Sequence, residues 1–427
     1  MFYIIETESQ LANLQISEEC FIELVANSDE THPALNTPSV IYYNNFDKGY
    51  IFVINHSEGF SIPLQSVEKF LQQHKKVHLL NKKRHSYYID LPNSVDLLFQ
   101  VIGAGKELVC DTPLHREFGY KHKYLPNINY IIPVCKHYER CECLYEATKP
   151  LINNNSEQIW EASYVEVYKW VEEQGLAIDD KVFDKHYELT WKPNSVKNGK
   201  IYTSYNLYNI TARPTNAFNG LNFLALQKDK ARAAFVPSND FFVDFDFDGY
   251  HLRLIANLLN VQLPADRSIH LFLGEHYFGK DVLTEEEYQE SKKITFRQLY
   301  SGIEDEVADI ELFKHVDEFI KRMWTDYTNN GYVILPNGRK LVQENANPQK
   351  LFNYYIQCLE TVNNVKKLAK LKTYLSDKQS KVVLVVYDSI LVDFSKQDGM
   401  TTYHGIKSIL EEDNYMVKVK TGDNYDL

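Results

Sequence analysis

The chain is poor in residues that staple or anchor a fold. Six cysteines in 427 residues are too few for the disulfide framework of a small secreted domain. Cys135, His137, Cys141 and Cys143 lie close together, but their spacing matches no standard zinc pattern. No apolar run approaches the roughly 20 residues needed to cross a bilayer, and the opening MFYIIETESQ lacks the basic flank of a signal peptide. The expectation is a cytoplasmic protein with no membrane partner. Positive charge is also short: 46 Lys and Arg against 58 Asp and Glu leave a formal net charge of −12. This argues against a uniformly basic nucleic-acid binder but says little about a single groove, since phosphate affinity comes from local Lys and Arg. Basic clusters do occur, at 74–84 (HKKVHLLNKKR), from Lys228 to Arg232 and from Lys366 to Lys381. With 44% apolar and 24% charged residues the composition is that of a globular protein, long enough for about two or three domains.

What is present centres on 241–257, FFVDFDFDGYHLRLIAN. Val243, Phe245 and Phe247 alternate with Phe242, Asp244, Asp246 and Asp248, the period of a strand; from Tyr250 onward Leu254, Ile255, Leu258 and Leu259 recur at helical spacing. The period changes at Asp248-Gly249. By itself this is equally the pattern of an edge strand with a solvated acidic face. A second stretch, KVVLVVYDSILVDF at 381–394, shifts the balance. Its two apolar runs flank Tyr387-Asp388-Ser389 and read as a hairpin of buried strands with a carboxylate at the tip. An aspartate in so apolar a setting is costly unless paired or bound to a cation. Two such aspartates from distant parts of a chain suit two-metal phosphoryl transfer, in which cations lower the pKa of an attacking hydroxyl and neutralise the transferring phosphate.

These stretches carry a resemblance to the family A DNA polymerases. FDFDGYHLRLIANL resembles the first palm motif, D-Y-S-Q-I-E-L-R-x-x-A-x-L, with Asp246 on the catalytic aspartate; VVYDSI resembles the third, V-H-D-E, with Asp388 on its aspartate and Ser389 in place of an auxiliary carboxylate. Between them, in family order, lie Ser268-Ile269-His270, resembling D-I-H, and a helix over 284–302 opened by a Thr284/Glu287 capping box. On that helix Lys292, Phe296 and Tyr300 recur every four residues and share a face, resembling K-x-x-x-F-G-x-x-Y-G. The resemblance implies that Lys292 holds triphosphate oxygens, Phe296 stacks on base or sugar, Tyr300 guards the template position, and His270 also meets the nucleotide. His251 stands where the family has a Glu that excludes a ribose 2′-hydroxyl; it fills the same gap, so a retained preference for deoxynucleotides is expected. Tyr288 stands where the family has an Arg, leaving Lys293 or Arg297 to assist phosphate binding; Arg297 itself replaces a Gly and is read as facing DNA.

The flanking segments extend the resemblance. GKIYTSYNLYNITARPTNAF at 199–218 is similar to G-R-I-H-T … T-G-R-x-S/T, which implies primer contacts for Thr211 and Arg213, with Ala212 replacing Gly. The Gly331-Tyr332-Val333 … Asn337-Gly338-Arg339 hairpin resembles G-Y-V-x-T-x-x-G-R. After the Asn347-Pro348 helix start, Asn353 and Gln357 resemble N-x-x-I-Q, amides that meet minor-groove acceptors common to all base pairs. Tyr387 replaces the family His beside the primer terminus. The helix at 159–179 resembles the one entering the thumb, but the stretch before 199 is too short for a helical pair, so the thumb reads as vestigial.

Residues 1 to about 100 alternate in short strands (CFIELVA, SVIYYNN, GYIFVINH) and resemble in layout the proofreading exonuclease that precedes the polymerase in this family. Its metal-binding Asp-x-Glu is here Glu23-Leu24-Val25, and the later His-Asn-x-x-x-Asp survives only as Leu80-Asn81 to His85. Two-metal water activation with one acidic ligand fails, so a nuclease-inactive domain is expected. The implied fold is α+β: a right-hand palm and fingers with reduced thumb, preceded by an RNase H-like exonuclease-type α/β domain. The expected division is 1–150 exonuclease-like, 151–198 thumb, 199–260 and 346–427 palm, and 261–345 fingers. The implied activity is template-directed DNA synthesis of a compact, phage-like type, in the host cytoplasm if phage-encoded. Two Mg²⁺ ions, replaceable by Mn²⁺, would be held by Asp246, Asp388 and the main-chain carbonyl of Phe247. Implied partners are primer-template DNA, deoxynucleoside triphosphates and a processivity or accessory replication protein. The alternatives are a catalytically inactive DNA-binding or assembly subunit and a primase-like enzyme using ribonucleotides.

Overall fold

A computed structural model of the chain describes residues 3–29, 31–103, 108, 127–152, 159–187, 195–217, 221–226 and 230–427. The basic cluster from Lys228 to Arg232 and the segment expected as a reduced thumb lie partly outside them. Among the described residues no helix is long and apolar enough to cross a membrane. The chain divides into two compact units: Met1–Lys169 with Glu188–Ser204 and Asn216–Leu221, and Trp170–Tyr187 with Tyr205–Thr215 and Asn222–Leu427.

The first unit is built on a mixed six-stranded sheet of β1 (Tyr3–Ile5), β2 (Glu19–Ala26), β3 (Pro38–Asn44), β4 (Gly49–Val53), β5 (Lys76–Leu79) and β6 (Ser94–Asp96), in the order β1-β4-β3-β2-β5-β6. The three strands read from sequence are β2, β3 and β4, joined antiparallel, while β5 and β6 add parallel to β2. Strand β2 is apolar almost throughout because both of its faces are covered. Cys20, Ile22 and Leu24 join Val67, Phe70 and Leu71 of helix α1 (Leu64–Leu71) in one core. Phe21 and Val25 join Val134, Cys141 and Tyr145 of helix α2 (Val134–Ile152) in another. Glu23 therefore points into a helix-covered layer. Helix α3 (Ile159–Gln174) is the one read from sequence at 159–179.

In the second unit an antiparallel four-stranded sheet runs β10-β11-β7-β12, from β7 (Phe241–Phe247), β10 (Lys381–Val386), β11 (Ser389–Phe394) and β12 (Val417–Gly422). The alternation of β7 reappears as burial: Val243, Phe245 and Phe247 are in the core, Phe245 against Tyr403 of helix α9 (Gly399–Glu411), while Asp244 and Asp246 are half-buried on the other face. Gly249 ends the strand at φ 58°, and a Cβ there would come within 2.0 Å of Ile269, so the strand turns at once into helix α4 (Tyr250–Leu259). Four more helices follow before the hairpin: α5 (Ile269–Phe278), α6 (Glu285–Ser301), α7 (Glu311–Asn330) and the long α8 (Pro348–Tyr374). The expected small hairpin is β8 (Val333–Ile334) with β9 (Lys340–Leu341). The Thr284/Glu287 capping box and the Asn347 cap with Pro348 behind it both form. Helices α5 and α6 are tied by Ser291 Oγ donating to His270 O at 2.6 Å and by Tyr277 OH with Thr295 Oγ1 at 3.1 Å.

Candidate active site

Strand register brings the backbone at the two aspartates of interest to one corner of the sheet. Strands β7 and β11 pair so that Asp246 lies opposite Ser389, the residue after Asp388. The Phe247 N–H donates to the Asp388 carbonyl at 2.9 Å, and Asn364 of α8 donates to the Tyr387 carbonyl at 2.9 Å, clamping the two-residue turn between β10 and β11 from both sides. Tyr387 takes φ 56°, an unfavourable conformation for a bulky side chain that the surrounding hydrogen bonds hold in place. Ser389 donates to Asp244, closing off that carboxylate. Asp388 stands exposed at the turn, yet desolvation by neighbouring protein, with the nearby Glu360 charge adding to it, holds its carboxyl above the usual range. A cation would relieve that cost. Among the described residues no three His, Cys, Asp or Glu side chains converge on one point. The available donors are therefore two carboxylates and main-chain oxygen, hard ligands suited to Mg²⁺ or Mn²⁺ with water and substrate completing the shell.

Beside this pair lies a charged network that the sequence did not disclose. Glu360, the sole acidic residue of α8, is 1% exposed. It accepts from Arg213 Nε and Nη2, each at 3.0 Å, and from His251 Nε2 at 2.5 Å. Since a carboxylate only accepts, His251 carries its proton on Nε2 and its Nδ1 faces the Tyr300 hydroxyl. The Arg213 guanidinium stacks 3.9 Å over the Tyr387 ring. His251, Tyr300, Arg213 and Tyr387 are thus assembled around one buried acid. Tyr250 fixes α4 to α8, its hydroxyl donating to Asn364 at 2.5 Å and accepting from Asn363 at 2.8 Å.

Helix α6 presents Lys292, Phe296 and Tyr300 on one face, as their spacing implied. Phe296 is 44% exposed and stacks against Tyr300, ring centroids 6.1 Å apart. His270 approaches Phe296 at 5.6 Å; burial presses its imidazole down to about 4, and its Nδ1 has no hydrogen-bond partner. Lys292 Nζ lies 4.4 Å from the Tyr288 ring centre. The two cations expected to assist it turn away: Lys293 pairs with Glu290 at 3.2 Å and Arg297 with Glu304 at 2.9 Å, all on the surface. Asp248, which the strand pattern groups with its acidic neighbours, is instead buried and spoken for. It pairs with Lys418 and accepts from Ser268 Oγ and Ile269 N, each at 3.2 Å; despite the opposing cost of burial, these hold its carboxyl below the usual range.

Thr211 turns inward, 8% exposed, its hydroxyl engaged with Asn209 and the Arg213 N–H. Ala212 between them has φ 58°, which explains why glycine suits the position. Asn353 and Gln357 are half-buried on α8, one turn apart, and the Asn353 side-chain oxygen is buried without a partner.

No protein-family model and no curated protein matches the chain by sequence. Among solved structures it is similar to the POL domain of Pol1 from M. smegmatis in complex with DNA primer-template and dNTP, with a TM-score of 0.69 over 100% of this chain and 99% of that one, at 13% identity. The chain has the fold of a family A polymerase domain. The expected α+β architecture is therefore present, and it is reached at a sequence identity too low to carry function with it.

Proposed function

We propose that the chain is a template-directed DNA polymerase that adds deoxynucleotides to a primer 3′ end and does not proofread. The reading is carried by the register of β7 and β11, which sets Asp246 opposite the residue after Asp388, together with a helix that aligns Lys292, Phe296 and Tyr300. Primer-template DNA and dNTP in the similar Pol1 structure support the same substrates here. In this reading Lys292 and His270 bind triphosphate, Phe296 stacks on the incoming base or sugar, Tyr300 guards the template position, and His251 closes the space beside the sugar. Arg213, Tyr387, Asn353 and Gln357 line the primer-template path, with Thr211 shaping the Arg213 turn and Arg297 toward the template. The primer hydroxyl attacks the α-phosphate and pyrophosphate leaves. Asp246, Asp388 and the Phe247 carbonyl would hold divalent cations, which when bound lower the pKa of the attacking hydroxyl and neutralise charge on the transferring phosphate.

In domain terms, 199–260 with 346–427 would form the palm, 261–345 the fingers, 151–198 a reduced thumb and 1–150 an inactive exonuclease-like scaffold. A short thumb leaves duplex retention weak, a deficit an accessory replication protein would fill. The absence of proofreading is supported by the surroundings of Glu23, which has arginines beside it where a nuclease needs cations.

Primer extension with Mg²⁺ tests the reading. The wild-type chain should extend a primer with dNTPs in template order, strongly prefer dATP over ATP opposite T, and leave single-stranded DNA untrimmed at its 3′ end even with Mn²⁺. Asp246→Asn should fold normally and lose about a thousandfold or more in rate. No extension by wild type, with DNA binding intact, would mean a non-catalytic subunit; equal use of ATP and dATP would mean a primase-like enzyme.

A further inference from the structure

The family pattern places an arginine one turn before the nucleotide-helix lysine, and this chain has Tyr288 there. Lys292 alone is a thin counter-charge for a triphosphate, and neither Lys293 nor Arg297 is aimed to help, each being paired outward to a surface glutamate. A cation does arrive from elsewhere. Strand β12 pairs with β7 so that Lys418 lies directly opposite Asp246. Directly opposed residues of an antiparallel pair project from the same face, so Lys418 shares the face of Asp244 and Asp246.

The Lys418 side chain bonds to Asp248 and reaches the Tyr288 hydroxyl at 3.3 Å. The Tyr288 ring thus has two ammonium groups against it, Lys292 Nζ at 4.4 Å and Lys418 Nζ at 6.0 Å from its centre. On the same ring's other neighbour, His270, is a nitrogen without a partner in a side chain only 4% exposed, its imidazole 6.4 Å from Tyr288. Two cations, a phenol and an unpartnered imidazole nitrogen around one point describe a site for a strongly anionic ligand.

Lys418 is also free to serve such a ligand. Asp248 is 1% exposed and keeps Ser268 Oγ and Ile269 N as donors, whereas the Lys418 side chain is 47% exposed. Moving the ammonium toward solvent to share a phosphate leaves the buried carboxylate hydrogen-bonded, so the exchange avoids the cost of an orphaned buried charge.

We propose that Lys418 is the second triphosphate-binding cation of the nucleotide site, acting with Lys292 from the hydroxyl end of Tyr288 in place of the missing arginine. The assignment rests on the polymerase reading for the identity of the ligand, and on the geometry alone for its polyphosphate chemistry.

The test separates the two. Inorganic tripolyphosphate is titrated calorimetrically into the full chain as wild type, Lys418→Ala, Lys418→Arg and Lys420→Ala, with thermal melting of each to confirm folding. Lys418→Ala should bind about tenfold or more weakly, the loss expected of one charge-assisted contact, Lys418→Arg should stay within about threefold, and Lys420→Ala should match wild type. In parallel, primer extension by Lys418→Ala should show the loss in KM for dNTP with kcat little changed. Undetectable tripolyphosphate binding by wild type, or equal binding by a folded Lys418→Ala, overturns the assignment. Absence of extension by wild type, with the binding series as expected, overturns the polymerase reading and leaves the polyphosphate site standing.

Discussion

Two acidic centres, one in each unit, have contrasting surroundings. In the second unit Asp388 is presented to solvent at a clamped turn near Asp246, and desolvation by the surrounding protein, with Glu360 adding to it, holds its carboxyl above the ordinary range against the opposing influence of His251 and Arg213. In the first, Glu23 of β2 sits in a covered layer with Arg84 at 3.9 Å, and Asp29 beside it pairs with Arg140 at 3.2 Å. His85 is fixed there as a neutral ring: its Nε2 accepts from Leu24 N at 3.0 Å and its Nδ1 donates to Asn81 O at 3.1 Å, while burial holds its pKa near 3. One centre leaves room for exchangeable cations; the other has its cations covalently built in as guanidinium groups. An acidic residue in a polymerase-like fold therefore signals chemistry only when its counter-charge comes from outside the chain.

The largest effect that would sharpen this contrast is catalytic. Asp388→Asn should cost about a thousandfold in primer extension, whereas Glu23→Gln should extend primers as wild type does. Comparable losses in both, measured on folded protein, would break the distinction between the two centres.

The next effect concerns Glu360, which lies in the second unit but is completed like the first unit's acids, by Arg213 and His251. Replacing one member of a buried ion pair strands the others. Glu360→Leu should lower unfolding free energy by about 3 kcal/mol, read as a reduced denaturant midpoint. It should also loosen discrimination between dATP and ATP, because His251 loses the group that orients it toward Tyr300. A variant of unchanged stability and selectivity would show that the network is ornamental.

These residues also mark where sequence reading stopped. Strand β7, the hairpin around Asp388 and helix α6 were legible because each is written in local period: two for the strands, four for Lys292, Phe296 and Tyr300, with a capping box to fix the start. Asp388 drew notice because it interrupts two apolar runs, whereas Asp246 was singled out by the family resemblance, the period itself breaking two residues later at Asp248-Gly249. Glu360 was invisible because its partners are 147 and 109 residues away in sequence, and its one trace was to be the only acid on a 27-residue helix. Lys418 was missed for the same reason: its place opposite Asp246 depends on the register of a terminal strand whose own pattern, VKVKTG, reads as an ordinary edge. Asp248 shows the converse error of grouping by period alone, since it shares the strand's alternation but is consumed by Lys418 and the start of α5.

The smallest expected effect is a pH dependence confined to the first unit's centre. Burial raises the Glu23 carboxyl from an ordinary 4.5 to about 7, with Arg84 and Arg140 opposing, and one of its oxygens has no hydrogen-bond partner. A carboxyl whose pKa is higher folded than unfolded keeps its proton in the native state after the unfolded chain has released it. Its contribution to stability is therefore intact below about pH 4.5, declines as pH rises toward 7, and is level above that. Glu23→Gln removes the titration while keeping the shape. The variant should match wild type in chemical denaturation near pH 4 and exceed it at pH 8 by on the order of 2 kcal/mol. If the variant is instead less stable at pH 8, Glu23 is an ionised partner of Arg84 and Arg140, and the first unit's centre holds its charges as firmly as Glu360 does.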